Sequence, residues 1–178
     1  MFIEIREALK SCLVQCGAKS NIYTSEKRLR VCNESRVFAI LSESDGLAKN
    51  KTKRIYTDIN GKHKRRKRFD RDLTFSIVIG EYSMEKVQEI YDQFLEEIPD
   101  GIYVKGNYVE IEPIAADWID DEDTIIRAKC AVQIKVVCKG GVYKDTDFAK
   151  INDIEIAVNR KEAQDGKERD TEPGEGTS

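Results

Sequence analysis

Residues 49–71, KNKTKRIYTDINGKHKRRKRFDR, hold eleven Lys or Arg against two Asp. A run of this kind can neutralise phosphates, meet an acidic protein surface, or guard an exposed strand edge against pairing. Its densest part supplies Lys62, Lys64, Arg65, Arg66, Lys67, Arg68 and Arg71. Further along, ADWIDDEDT places Asp117, Asp120, Asp121, Glu122 and Asp123 together. Carboxylates at this density can attract Ca²⁺ or Mg²⁺, or serve hydrolysis as a pair. They lack the spaced D-x-[DN]-x-[DN]-G pattern that wraps a cation, so a solvated or partner-facing loop is expected.

The remaining reactive groups are sparse. The single His63 lies inside the basic run, at the tip of what reads as a charged hairpin, a poor place to shield a proton transfer from water. Of five cysteines, Cys12, Cys16, Cys32, Cys130 and Cys138, only Cys12 and Cys16 sit one helical turn apart, and no paired CxxC occurs. Buried free thiols are expected rather than a zinc site. The sequence has no GxxxxGK[ST] phosphate loop, no GxGxxG after a strand and no GxSxG nucleophile turn. No catalytic, cofactor-binding or metal-ligating residue is therefore assigned.

Charge is distributed unevenly. The basic run contributes +9, which leaves −12 for the rest of a chain whose net charge is −3. With 178 residues, 40% hydrophobic and 35% charged, the chain suits one domain with a heavily charged surface. No apolar run reaches the ~18 residues a membrane-spanning helix needs. Glu4 and Glu7 stand where a signal peptide would need an unbroken apolar stretch, so export by that route is not expected.

The elements that must position these charges can be read from periodicity. Phe2, Ile5, Leu9, Cys12, Leu13 and Cys16 share one helical face, and Gly17 supplies a stop. Residues 36–44, RVFAILSES, suit a strand with both faces partly covered, and their pattern equally fits a short helix. Asn60-Gly61 fits a type I′ turn between RIYTDI and KHKRRKRFDRDLTFSIVIG, which predicts a long basic hairpin over about 53–79 with its apolar end in the core. Ser83 can cap the next helix, where Val87, Ile90, Tyr91, Phe94, Leu95 and Ile98 form an apolar stripe before Pro99-Asp100-Gly101. IYVKGNYVEIEP reads as a second hairpin turning at Gly106-Asn107, with Pro113 ending the strand. RAKCAVQIKVVC alternates cleanly as a strand until Gly140-Gly141 breaks the pattern. Residues 151–159 offer a last strand, and residues 160–178, with Ala163 the one apolar residue, read as a flexible charged tail after a domain spanning 1–159.

The fold class expected is α+β: a mixed or antiparallel sheet with an N-terminal and a central helix packed on it, plus the long basic hairpin. Three uses of that hairpin stand side by side. It can be a solvated edge. It can contact nucleic acid, with Tyr56 and Phe69 as aromatic faces. It can also face the acidic segment of a neighbouring copy, a head-to-tail contact that closes by rotation into a ring.

The order of elements, from IREALKSCLVQCG through LTFSIVIGE and MEKVQEIYDQFLEEIP to GNYVEIEPIAADWIDDED and RAKCAVQIKVV, resembles bacteriophage tail-terminator or tail-completion proteins over roughly residues 1–140. The resemblance implies a small α+β subunit without enzymatic activity. Such subunits form a hexameric ring on the end of a tail tube, stop tube growth, and meet the head connector and, in contractile tails, the sheath. It also implies assembly in the host bacterial cytoplasm, incorporation into a virion or tail-like particle, and no membrane partner. The basic residues would then meet acidic neighbours or make non-specific contacts with passing DNA.

Overall fold

In the computed structural model, which describes residues 1–18, 21–32, 34, 36–52, 55–57, 63–119 and 130–147, the first apolar stripe becomes helix α1 (Phe2–Gln15). Ile5, Leu9, Cys12 and Leu13 are buried along one face. Gly17, at φ 92°, turns the chain out of the helix in a left-handed conformation that costs glycine little. The Ala18 N–H then donates to the Leu13 carbonyl at 2.9 Å, satisfying an acceptor the helix leaves over.

A two-residue strand β1 (Ile22–Tyr23) and a short helix α2 (Glu26–Arg30) follow. Buried Leu29 and Cys32 draw this segment onto the sheet. Then come β2 (Val37–Lys49), β3 (Tyr56–Thr57), β4 (His63–Glu81), helix α3 (Met84–Glu97), β5 (Gly101–Val104), β6 (Asn107–Ile119) and β7 (Cys130–Asp147). Among the described residues the strands form one seven-stranded sheet in the order β1-β2-β4-β7-β6-β5, with β3 added beside β4. β1 runs parallel to β2 and the other pairings are antiparallel, so the sheet is mixed.

Both long helices pack on one face. Alternate residues of the central strands, Leu73, Phe75, Ile77 and Ile79 on β4 and Val132, Ile134, Val136 and Cys138 on β7, join the α1 stripe and Val87, Ile90 and Phe94 of α3 in the main core. Side chains as fully buried as Phe75 and Phe94 each contribute about 1.5–3 kcal/mol over an exposed position. On the other face a smaller cluster of Leu29, Cys32, Val37, Ala39, Val78 and Ala131 covers one end of the sheet. Coverage of both faces explains why β4 is apolar at successive positions from Ile77 to Ile79, with Val78 in the smaller cluster and its two neighbours in the main core.

Several expectations need correction. β2 continues to Lys49 rather than ending at Ser44, because residues 44–49 pair with Phe69–Thr74 of β4. Pro113 does not end its strand; β6 passes through it with an irregularity at Pro113–Ala115 and reaches Ile119. A proline survives here because a bulge relieves the ladder of a hydrogen bond it cannot make. Gly140 and Gly141 do not break β7 either, since they pair with Arg71 and Asp70. The second hairpin turns at Lys105-Gly106, both at positive φ (50° and 77°), one position earlier than expected. Ser83 occupies the N-cap position of α3, but its side chain makes no capping hydrogen bond, and Leu95 of the predicted stripe is 38% exposed.

The basic hairpin is present in part: Tyr56 and Thr57 pair with Arg65 and Lys64. Along most of its length β4 pairs instead with β2 on one side and β7 on the other. The Asn60-Gly61 turn, the final strand at 151–159 and the charged segment 160–178 lie outside the described residues.

Candidate assembly surface

Beyond the core the two central strands run on as a charged arm, with Lys64 to Asp72 of β4 paired to Lys139 to Thr146 of β7. Strand alternation puts successive side chains on opposite faces, so the arm has two surfaces of different character.

On the face away from α1 and α3, the charges are matched. Arg65 lies directly opposite Asp145 and donates to both of its carboxylate oxygens at 2.7 Å. A third group of the same guanidinium reaches the β5–β6 turn, 3.2 Å from the Lys105 carbonyl and 3.3 Å from Asn107 Oδ1. Lys67 pairs with Asp70 at 2.7 Å, and Asn50 Nδ2 also donates to that carboxylate. The Lys67 stem crosses Gly141, where an added Cβ would lie 2.3 Å from Lys67 Cε. Lys139 pairs with Glu112 nearby.

The helix-side face is different. Phe69 sits opposite Val142, and Leu47 lies on the adjoining strand; all three are exposed. Arg71 donates to Asp45 at 2.8 Å and 2.5 Å. That guanidinium holds the Asp45 carboxylate below its ordinary range, and Lys67 does the same for Asp70. Nearer the tip, Arg66 faces Lys144 directly, and Arg68 occupies the irregularity between Lys67 and Phe69. Arg66, Arg68 and Lys144 are exposed and make no ion pair among the described residues. Lys64 lies opposite Thr146, whose hydroxyl donates to the Lys64 carbonyl.

The expected acidic partner divides. Asp117 is exposed on strand β6, not in a loop, and lies opposite Gln133. Asp145, the partner of Arg65, is about 40 Å further along β7 at roughly 3.3 Å per residue, so Asp117 cannot serve the arm of its own chain. Lys62, Asp120, Asp121, Glu122 and Asp123 lie outside the described residues.

Sequence reasoning missed Asp45, Asp70 and Asp145 as internal partners of the basic run, and Lys144 as part of the same surface. It also passed over Glu85, Glu89, Asp92 and Glu96, which are exposed along one side of α3. Their three- and four-residue spacing was legible in MEKVQEIYDQFLEE.

A second charged feature lies at the other end of the sheet, where Glu81 is 2% exposed and ion-paired to Arg36. Arg36 also donates to the Gly17 carbonyl at 2.9 Å, tying the end of α1 to β4. The cleft beside it is lined by Gln15, Cys16, Tyr82 and Lys86. Because the carboxylate is already neutralised by its guanidinium, this pair holds elements together.

No protein-family model and no curated protein sequence matches the chain. Among solved structures, the fold is similar to the sheath/tube terminator, in the extended state, of an extracellular contractile injection system (PVC), with a TM-score of 0.53 and 9% sequence identity. The match covers 90% of this chain, and the chain spans 64% of the length of that one. At this identity the likeness is one of fold.

Proposed function

We propose that this protein is a structural tail terminator of a phage or phage-like particle. In this reading six copies close into a ring on the end of the tail tube, stop its growth, and offer a surface to the head connector and, in a contractile tail, to the sheath. The observation that carries the reading is the likeness of fold to a sheath/tube terminator over 90% of the chain. The charged arm and the acidic segment around Asp117 supply polar surfaces through which copies, or tube and sheath subunits, would meet. Catalysis has no part in this function.

The test is to polymerise tube subunits from the same source with and without the protein and to image the products by negative-stain electron microscopy. The expected result is shorter tubes carrying a ring at one end. Tubes of unchanged length with bare ends would overturn the reading.

One observation favours a second reading, a nucleic-acid contact. Arg66, Arg68 and Lys144 lack ion-pair partners among the described residues. Three phosphates neutralised there would give a slope of log affinity against log salt of about −2.7 on duplex DNA. A flat salt dependence, or no binding at low salt, would remove it.

A further inference from the structure

The arm and helix α3 carry opposite charges that have no ion-pair partner among the described residues, at different places on the same chain. Arg66 and Lys144 are direct cross-strand partners, and like charges so placed repel. Arg68 adds a third cation beside them. On α3, Glu85 and Glu89, and again Asp92 and Glu96, stand four residues apart, a spacing at which like charges also repel. None of these four acids makes an ion pair among the described residues.

Each surface also has an apolar border. Phe69 and Val142 lie next to the cations, and half-exposed Leu95 lies beside the acids. The two surfaces cannot meet within one chain. α1 begins against Gly140, and α3 runs back over the core from the far end of β4, so most of the acidic stripe lies tens of ångströms along the strands from Arg66.

We infer that the arm, through Arg66 and Lys144 on its helix-side face and Arg68 at the adjoining irregularity, docks on the acidic side of α3, Glu85, Glu89, Asp92 and Glu96, of the next copy of this chain. The inference rests on the self-assembly part of the terminator reading and replaces the acidic segment 117–123 with α3 as the surface that receives the arm. The occupant is chosen by charge complementarity, since each surface relieves the repulsion within the other on contact. Because the two surfaces differ, the contact is head-to-tail, which builds a ring or a filament and not a two-fold dimer. Opposite potentials also fix the register of docking.

The experiment uses the full chain and two charge-reversed variants. One carries Arg66→Glu, Arg68→Glu and Lys144→Glu. The other carries Glu85→Lys, Glu89→Lys, Asp92→Lys and Glu96→Lys. Molar mass by light scattering across concentration and salt reads self-association, and circular dichroism checks folding. Each variant alone is expected to associate at least about tenfold more weakly than the wild type. An equimolar mixture is expected to recover assembly, because each variant then offers the surface the other lacks.

Variants that are monomeric alone and unrestored by mixing would overturn the pairing of these two surfaces. Variants that assemble like the wild type would overturn it while leaving self-assembly standing. A wild-type chain that stays monomeric throughout would overturn the docking, whereas the terminator reading falls separately, on tubes of unchanged length. Wild-type binding to a 30-base-pair DNA duplex that is lost in the first variant, with self-association unchanged, would assign the cationic face to nucleic acid and overturn the proposal.

Discussion

Arg65 and Asp145 face each other across β4 and β7, and the guanidinium grips both carboxylate oxygens at 2.7 Å while reaching the carbonyl of Lys105. One side chain thereby ties three strands and a turn together near the outer end of the arm. The Arg65 side chain is 15% exposed and that of Asp145 40%, so solvent reaches the carboxylate more than the guanidinium. Arg65→Ala is expected to destabilise the protein by about 1 kcal/mol in urea unfolding, and Arg65→Lys to recover little of it, because an ammonium cannot match the forked geometry. An unchanged urea midpoint in Arg65→Ala would show that the arm holds its place without this contact.

Asp45 and Asp70 are held below the ordinary carboxylate range by hydrogen bonds from Arg71 and Lys67 respectively. A lowered folded value means that the stabilisation is complete above the unfolded value of about 3.9 and is lost as pH falls through the folded one. Denaturant midpoints measured from pH 6 to pH 2 should therefore decline, and Asp45→Asn should shallow the decline. A variant that falls as steeply as the wild type would place the acid sensitivity elsewhere.

Gly101 opens β5 under the ring of Tyr108, where an added Cβ would stand 2.4 Å from Tyr108 Cζ and 2.4 Å from the Val109 carbonyl oxygen. The backbone oxygen cannot move aside as a side chain can. Gly101→Ala is expected to cost about 2 kcal/mol of stability. Gly46→Ala is the control, because its nearest contact at 3.5 Å is ordinary van der Waals distance and its effect should stay within about 0.5 kcal/mol. Equal effects at the two sites would contradict the close packing of β5 on β6.

Lys105 holds φ 50° in the tight turn between β5 and β6. Asparagine tolerates that conformation better, and the contact made to Arg65 uses only the Lys105 carbonyl. Lys105→Asn should raise stability by about 0.5–1 kcal/mol, read as a higher melting temperature. A lower one would mean that the lysine side chain contributes more than its backbone strain removes.

Burial pushes the Cys12 and Cys138 thiols up to about 12, and Cys16 is raised for the same main reason. Half-buried Cys130 should be the fastest thiol to react with Ellman's reagent at pH 8, while all five become available in denaturant. Native reaction of Cys12 at the rate of Cys130 would mean that α1 is not packed as described.

Much of the fold was legible in local pattern. The stripes of α1 and α3 and the alternation of β7 announce their elements because a helix or strand must place its apolar residues at the period of its own backbone. Gly17 announces a helix end for an equally local reason. Local pattern misled where a neighbour overrode it: Pro113, Gly140 and Gly141 look like breakers, yet partner strands carry β6 and β7 through them.

By itself, then, the sequence determined the α+β fold class, the two long amphipathic helices, the burial of Cys12 and Cys16 on the first of them and the dense cationic run, since composition and period suffice for each. Only the tertiary structure decided which cations are neutralised and which remain to act. Asp45 and Asp145 are 26 and 80 residues away from Arg71 and Arg65, and no spacing rule could have matched them. Strand register brings those carboxylates within hydrogen-bond reach of two arginines, while it sets Arg66 against Lys144, two cations with no ion-pair partner among the described residues.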